Sequence, residues 1–334
     1  MRAPAFPARR RFVAACTASL GTAVLGFGPL PVAAQGAFPS KTLSVVVPYP
    51  AGGANDMLGR LIGQKMAEAL GGTAMVDNKP GAAALLGANA VARAPADGHT
   101  LLIGGLATHA ASPHLLKADY DPLKDFESVG LIGSAPIIAI TFNESPYKTL
   151  KDVVDAARKD PKGVMYGSSG NGSPLHLAGE LFTSQNKIEM THVPYKGGNA
   201  HIMDLIGGRV PVIFDTATNC VPLLKSGKVR ALAVGAPARL PDFPNVPTFA
   251  EAGYPQFDFS AWYAVFAPAK TPKEVVAKLS GALSTALKSP EVASRLMATG
   301  VTPASGDAAT LAKFLPGEYE RIGRLIRTAN IKPD

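Results

Sequence analysis

The sequence contains few cysteines and no cluster of residues with metal-ligand spacing. Its 334 residues include two cysteines, Cys16 and Cys220, and no group of Cys or His has the spacing of a metal site. We therefore expect no metal and no cofactor. Lysine and arginine are scattered among acidic residues without interleaved aromatics, which argues against nucleic-acid binding. The 47% hydrophobic and 17% charged fractions are typical of a globular chain that buries a core.

The N-terminus has the pattern of a signal peptide. Arginines at position 2 and at 9–11 precede an apolar stretch at 12–27, and small side chains lead up to Ala34. We predict a signal peptide over residues 1–34, cleaved near Ala34, and export to the periplasm. The route stays open between general secretion and twin-arginine export. Cleavage removes Cys16 and four arginines, so Cys220 has no disulfide partner and the formal net charge falls from +8 to +4.

Strand and helix patterns alternate along the rest of the chain. β-Branched runs such as 43–47 are typical of buried parallel strands, and amphipathic segments such as 57–70 are typical of the helices between them. This alternation predicts an α/β fold with mixed, mainly parallel sheets. The length fits two sheets, and no low-complexity linker separates them. We therefore predict that strands at 137–142 and 262–266 cross between two lobes and act as the hinge.

A glycine-rich turn joins the first strand to the first helix. In PYPAGGAND (48–56), glycines let backbone N–H groups turn into a cleft at a helix N-terminus, which suits an anion. A tight turn with Asn55 or Asp56 as the helix cap explains the same residues equally well. Asp56 is an awkward neighbour for an anion, and we assign it to the helix start or to a bound water.

A second loop rich in glycine and serine, YGSSGNGSP (166–174), again leads from a strand into a helix start. It offers hydroxyls and backbone donors. It lacks the second glycine of a nucleophile elbow, and Leu175 replaces the third glycine of a dinucleotide fingerprint. A flexible loop without a binding role is the alternative interpretation. A rival enzymatic hypothesis, a hydrolase using Ser169 with His176, lacks a visible acid partner.

Three further positions lie at the ends of predicted strands, where open α/β sheets bind ligands. Tyr195 can wall a pocket beside a glycine turn. Asp215 and Thr108 follow their strands in the same manner. An N-cap role for Asp215 is equally compatible with its position. Lys196, next to Tyr195, either pairs with a carboxylate or is simply solvated.

Eight segments, taken in order, resemble a known receptor family. They are VPYPAGGAND (47–56), VDNKPGA (76–82), ADGHTLL (96–102), YGSSGNG (166–172), HVPYKG (192–197), GKVRALAV (227–234), VPTFAEAG (246–253) and APAKTP (267–272). Each segment is weak alone, but the ordered set covers essentially the whole mature chain. It is similar to the substrate-binding proteins of tripartite tricarboxylate transporters, the Bug receptors.

The resemblance implies a two-lobed periplasmic binding protein, type II-like, that closes on its ligand. It implies a receptor and not an enzyme. The ligand would be a small carboxylate (a di- or tricarboxylate, an aromatic acid or an amino acid), delivered to integral membrane transporter subunits that are separate chains. We expect a monomer with lobe 1 at 35–138 plus 265–334 and lobe 2 at 139–264. A receptor that serves a signalling partner is the alternative.

The resemblance also implies a binding site, carried over residue by residue. Main-chain donors and waters from the two loops would hold one carboxylate, and three side chains would line the remainder. The residues implied are Gly52, Gly53, Ala54, Asn55, Asp56, Ser168, Ser169, Gly170 and Asn171, with Thr108, Tyr195 and Asp215 as the lining. Two departures stand out: Ala82–Ala84 replace a usually glycine-rich stretch, and Ser112-Pro113 replaces a common Asn-Pro pair.

Overall fold

The structure, a computed structural model, describes residues 38–196 and 199–332. The predicted signal peptide, and Gly197 and Gly198, which follow Lys196, lie outside the described residues. The strands are β1 (Leu43–Val47), β2 (Ala74–Asn78), β3 (Thr100–Gly105), β4 (Phe126–Phe142), β5 (Met165–Ser168), β6 (Thr191–Pro194), β7 (Val212–Thr216), β8 (Val229–Val234), β9 (Ser260–Pro268) and β10 (Thr302–Pro303). The helices are α1 (Ala54–Ala69), α2 (Leu85–Ala92), α3 (Ser112–Leu115), α4 (Leu150–Lys159), α5 (Pro174–Asn186), α6 (Ala200–Ile206), α7 (Ala217–Lys225), α8 (Lys273–Lys288), α9 (Pro290–Ala298) and α10 (Ala308–Thr328).

The first half of the sheet begins with three parallel strands in the order β2-β1-β3, and β9 joins β3 in the antiparallel sense. Strand β1 is apolar on both faces. Val45 and Val47 pack with Leu58 of α1, whereas Val46 belongs to a second cluster with Ala88 of α2. Helices therefore cover both faces of the strand, which explains its continuous hydrophobic run.

Strand β4 joins the two halves of the sheet. Up to Pro136 it pairs with β9 and β10, and from Ile137 onward it pairs with β7 and β8. Among the described residues, every antiparallel pair involves β4 or β9, while β1–β2, β1–β3, β5–β6 and β5–β7 are parallel. The mixed α/β class predicted from the sequence is thus confirmed. The predicted crossing segment 137–142 is the end of this 17-residue strand.

The second half of the sheet has the order β7-β5-β6 and is supported by an aromatic cluster. The rings of Phe182 on α5 and Phe214 on β7 lie 5.0 Å apart, and Phe249 stacks on Phe257 at 4.0 Å. Such pairs contribute about 0.5–1.5 kcal/mol each beyond their buried area. One cluster of buried residues extends from Val46 in the first half to Phe214 in the second. The lobe boundaries drawn from the sequence stay a prediction.

Local sequence signals account for several helix ends. Helix α4 spans Leu150–Lys159, and Thr149 and Asp152 form a capping box at its start. Ser173 caps α5 by accepting the N–H of His176 at 3.3 Å. In residues 38–196 and 199–332, no helix is long and apolar enough to cross a membrane, and no three metal-binding side chains cluster.

Helix α1 begins earlier than its apolar periodicity predicts. Gly53 is the N-cap and no side chain caps the helix, so neither Asn55 nor Asp56 has the capping role considered above. The glycine-bearing turn therefore runs directly into the first helical turn. This places bare backbone N–H groups at the point where the chain leaves the sheet.

Candidate functional site

A cleft of about 610 Å³ lies where the loops after β1, β5 and β6 meet the ends of β3, β7 and β9. Its volume falls within the range of small-molecule sites, about 300–1,000 Å³. Gly53 of the first loop and Ser169 of the second loop both line it. Two glycine-bearing loops that are far apart in the chain therefore share one crevice.

The β1–α1 loop turns the backbone toward this cleft. Gly52 has a φ of +84°, a left-handed conformation that glycine adopts without a steric cost. The first N–H groups of α1 have no acceptor within the helix, and the helix dipole adds partial positive charge at the same end. The loop can therefore hold an anion without a cationic side chain.

Asp56 stabilises this loop without lining the cleft. Its buried carboxylate accepts hydrogen bonds from Gly52 N–H at 3.0 Å, from Arg60 Nε at 3.1 Å and from Asn78 Nδ2 at 3.0 Å. Burial alone would raise the pKa of the carboxyl, but these hydrogen bonds and the Arg60 charge outweigh it and lower the pKa. The positive charge of Arg60 thus compensates the ionised Asp56, so that an acid can lie beside a site for an anion.

Ser168 and Gly170 shape the second loop. The buried Ser168 Oγ accepts the N–H of Gly170 at 3.1 Å and lies 2.7 Å from His192 Nε2. Gly170 has a φ of +124°, and a Cβ at this position would lie 2.8 Å from the carbonyl oxygen of Tyr195. Glycine is therefore required here. The residues that this loop presents to the cleft include Ser169, Gly170 and Asn171.

Two stacked histidines support the second loop. The rings of His192 and His176 are nearly parallel, with centroids 4.0 Å apart. Burial lowers the pKa of His192 to about 4, so its ring is neutral at pH 7. His176 Nδ1 accepts the N–H of Gly172 at 3.1 Å. These contacts give both histidines a structural role in holding the loop.

Tyr195 forms one wall of the cleft. Its hydroxyl donates to Asp204 Oδ2 at 2.6 Å, and its backbone N–H donates to the Ser168 carbonyl oxygen at 3.1 Å. Burial, with the hydrogen bond to Asp204 adding, raises the pKa of the phenol to about 12. The ring is thereby fixed at both ends. Lys196, the next residue, is exposed and also lines the cleft.

A buried carboxylate organises the polar side chains at the end of β7. Asp215 is fully buried, and its Oδ2 lies 2.9 Å from His201 Nε2. Its Oδ1 accepts the N–H of Thr216 at 2.6 Å and the Nδ2 group of Asn219 at 3.0 Å. His201, Thr216 and Asn219 line the cleft, whereas Asp215 does not. Thr216, not Asp215, is the N-cap residue of α7, so the capping alternative for Asp215 is wrong.

Thr108 lies within a π-helical turn, Ala107–Ala111, that follows β3. Its Oγ1 accepts the N–H of Gly105 at 3.0 Å and lies 2.8 Å from His109 Nδ1. Thr108 is buried and does not line the cleft, although its neighbour Ala107 does. His109 stacks on Phe266 at 3.6 Å, and burial lowers the pKa of its ring to about 3.

Three alanines in a left-handed conformation also line the cleft. Ala82, Ala83 and Ala84 have φ values of 45°, 50° and 74°. This conformation costs a residue with a Cβ about 1–2 kcal/mol. Ser112 Oγ donates to the Ala83 carbonyl oxygen at 2.8 Å. The two departures from the family pattern are therefore joined by one hydrogen bond.

Eleven of the twelve predicted site residues fall into two groups. Those that line the cleft are Gly52, Gly53, Asn55, Ser169, Gly170, Asn171 and Tyr195. Those that are buried beside it and orient lining residues or loops are Asp56, Thr108, Ser168 and Asp215. Ala54 is the first residue of α1. Ligand contact by any of them stays a prediction.

Sequence reasoning missed several lining residues, among them His201, Thr216, Asn219, Trp262 and Tyr263. Asn219 follows Asp215 by four residues, a helical spacing that could have indicated it. Trp262 and Tyr263 carry no local signal, because β9 reaches the cleft only by pairing with β3 and β4.

The fold and the cleft define a solute-binding receptor of two sheet halves, and comparison with known proteins identifies the family. The model of the tripartite tricarboxylate transporter family receptor matches residues 58–331. The chain belongs to this family, as its ordered motifs predicted. Since this is a family of receptors, the expectation of a receptor and not an enzyme is confirmed.

Individual relatives agree with this assignment. BugT of Bordetella pertussis is 31% identical over 304 residues, covering 90% of this chain and 93% of BugT. An R. palustris protein solved with adipate is 35% identical with a TM-score of 0.84, over 89% of this chain and all of that one. MatC from Rhodopseudomonas palustris with bound malate is 36% identical with a TM-score of 0.80, over 86% of this chain and all of MatC.

Proposed function

We propose that the chain is a periplasmic, monomeric receptor, exported with residues 1–34 as its signal peptide. It captures a small carboxylate in the cleft and delivers it to the separate membrane subunits of a tripartite tricarboxylate-type transporter. One observation carries this proposal: two loops with bare backbone donors, one at Gly53 and one at Ser169, share the cleft. The related proteins solved with adipate and malate support carboxylate chemistry.

The carboxylate bridges the two loops. Donors at the start of α1 hold it from one side, and the backbone N–H and hydroxyl of Ser169 hold it from the other. Hydrogen bonds to a charged group contribute about 1.5–3 kcal/mol each. The ligand favours a closed arrangement because only that arrangement supplies both sets of donors, and β4 is the strand about which the halves would hinge.

Isothermal titration calorimetry of the mature chain against a panel of organic acids tests this function. We expect at least one carboxylate to bind, and its carboxamide, matched in size but uncharged, to bind at least tenfold more weakly. Sugars and simple cations serve as the other control arm. Binding of a sugar or a cation together with failure of every carboxylate would overturn the proposal.

A further inference from the structure

A second cavity, of about 520 Å³, lies between the first half of α1 and the end of α9. We call it the α1–α9 groove. Gly52 and Gly53 line this groove, and both also line the cleft. The tip of the β1–α1 loop is therefore common to the two cavities, so whatever fills the groove contacts the backbone that turns toward the cleft.

The groove is lined by residue types that are enriched at protein interfaces. Met57, Arg60, Leu61 and Gln64 lie at the spacing of one helix face and form a stripe along α1. Met57 is 43% exposed, and Met297, next to the lining residues of α9, is 59% exposed. Methionine is flexible and adapts to a partner's shape, and methionine and arginine are both over-represented where proteins bind one another.

The charges that the groove exposes are positive. The side chains of Arg60 and Arg295 are 58% and 64% exposed, whereas Asp56, the acid that lines the groove in the described part of the chain, is buried and paired with Arg60. Arg295 pairs with Glu291 at 3.0 Å, but both side chains are exposed, and such pairs contribute little. A carboxylate from a partner can therefore replace Glu291. The groove complements an acidic side chain that adjoins an apolar one.

A protein segment fits this groove better than a small solute does. Its polar side chains at Arg60, Gln64 and Arg295 are long and exposed. Small-molecule sites instead use a few polar groups that are held in place within a largely enclosed pocket. A groove between two helices is suited to a helix or an extended segment that inserts its apolar side chains.

We propose that the α1–α9 groove is the docking surface for the membrane subunits of the transporter. It receives a segment of these subunits in which an acidic side chain adjoins an apolar one. This inference rests on the proposed function. The docked segment contacts Gly52 and Gly53, which also line the cleft. A carboxylate that orders this loop makes docking more favourable, because the docked segment then has less disorder to remove. By linkage, docking changes the affinity for the carboxylate by the same factor.

The test measures docking of the mature receptor to the small and large membrane subunits from the same genome, held in lipid nanodiscs, by biolayer interferometry. The receptor carries the carboxylate that binds most tightly in calorimetry. We expect Arg295→Glu to weaken docking about tenfold and Met57→Gln about fivefold, since both remove interface contacts. Their carboxylate affinity should change by less than about twofold, which also shows that they fold. The empty wild type should dock about fivefold more weakly than the loaded one.

Two further variants separate docking from a general effect of charge. Arg295→Lys keeps the positive charge and should dock within about threefold of the wild type. Arg158→Glu is the matched control. Arg158 is an exposed arginine in the last turn of α4, as Arg295 is in the last turn of α9, and the control should dock like the wild type.

Several results would overturn the inference while leaving carboxylate binding intact. One is docking of Arg295→Glu and Met57→Gln at wild-type strength, and another is equal docking of the loaded and empty wild type. A wild-type dimer in light scattering that Arg295→Glu converts to a monomer would assign the groove to a second copy of the chain. A second carboxylate per chain in calorimetry that this variant removes would assign it to a small anion. Failure to bind any carboxylate overturns the proposed function and this inference together.

Discussion

The backbone N–H of Gly52 donates to the carboxylate of Asp56 at 3.0 Å, which ties the tip of the β1–α1 loop to the first turn of α1. Arg60 and Asn78 donate to the same carboxylate. The conformation of a loop proposed to bind an anion therefore depends on an acid that does not line the cleft. The three donors require an ionised Asp56, and the positive charge of Arg60 compensates its negative charge.

Replacing Asp56 by asparagine should loosen the loop and weaken binding. The amide has one acceptor where the carboxylate serves three donors, so we expect a loss of about 1.5–3 kcal/mol in the free energy of unfolding and about tenfold in ligand affinity. Because the pKa of Asp56 is lowered, its contribution is present above the ordinary carboxyl pKa and is lost as the pH falls through the folded value. Urea unfolding and calorimetry measure both effects.

A surface acid provides the control for that variant. Asp155 pairs with Lys151 on the exposed side of α4, so Asp155→Asn should change the unfolding free energy by less than about 0.5 kcal/mol. If Asp56→Asn behaves like this control in both measurements, the role assigned to Asp56 is wrong.

Gly170→Ala should damage the second loop more than the same change at a positive-φ glycine elsewhere. Its φ of +124° disfavours alanine, and the new Cβ would lie 2.8 Å from the Tyr195 carbonyl oxygen. We expect a loss of about 1–3 kcal/mol in stability and more than tenfold in affinity. Gly227 has a φ of +67° with no atom within 4 Å of a Cβ, so Gly227→Ala should cost about 1 kcal/mol and leave affinity unchanged. Equal affinities for the two variants would contradict the assignment of this loop.

The sequence predicted local features better than those that depend on distant pairing. Thr149 and Asp152 form the capping box at the start of α4, and the glycines of the two loops indicate where the backbone turns into a helix. These signals lie within a few residues of the feature they specify. The Asp215–His201 pair joins two elements, β7 and α6, whose proximity no local pattern encodes.

Strand β4 shows the same limit in the fold. The sequence indicated only the strand at 137–142, whereas the strand begins at Phe126. Gly130 and Gly133 weaken its apparent strand pattern. The structure explains why both are glycine. A Cβ at Gly130 would lie 2.2 Å from the Gly306 carbonyl oxygen, and a Cβ at Gly133 would lie 2.3 Å from the Thr302 carbonyl oxygen. Only glycine permits such a close approach of two backbones. In the sequence, however, a glycine required for this reason looks the same as a loop glycine.

Ala83→Gly should stabilise the protein. The left-handed conformation at Ala83, with a φ of 50°, costs about 1–2 kcal/mol for alanine, while glycine loses about 0.4–1 kcal/mol through the entropy of the unfolded chain. A net gain of about 0.5–1 kcal/mol is therefore expected in urea unfolding. Ala156→Gly, inside α4, is the matched control and should cost about 1 kcal/mol. A loss at Ala83 as large as that at Ala156 would show that Ala83 is not strained.

His109→Phe should make the free energy of unfolding decrease less steeply as the pH is lowered. Burial lowers the pKa of His109 from 6.5 to about 3, so the folded state favours the neutral ring. The stabilisation is fully present above the unfolded pKa and is lost as the pH falls toward the folded pKa, since the unfolded chain then binds the extra proton. At pH 5 this loss is about 2 kcal/mol.

Phenylalanine keeps an aromatic ring against Phe266 but has no proton to bind. The difference in unfolding free energy between the wild type and His109→Phe should therefore shift in favour of the variant as the pH is lowered from 7 to 5. His192, whose pKa is also lowered by burial, to about 4, contributes the same acid slope to both proteins and cancels in the difference. Urea unfolding at successive pH values measures this quantity. Parallel curves for the two proteins would mean that His109 takes up a proton equally well in the folded chain, and would contradict its assignment as a neutral core histidine.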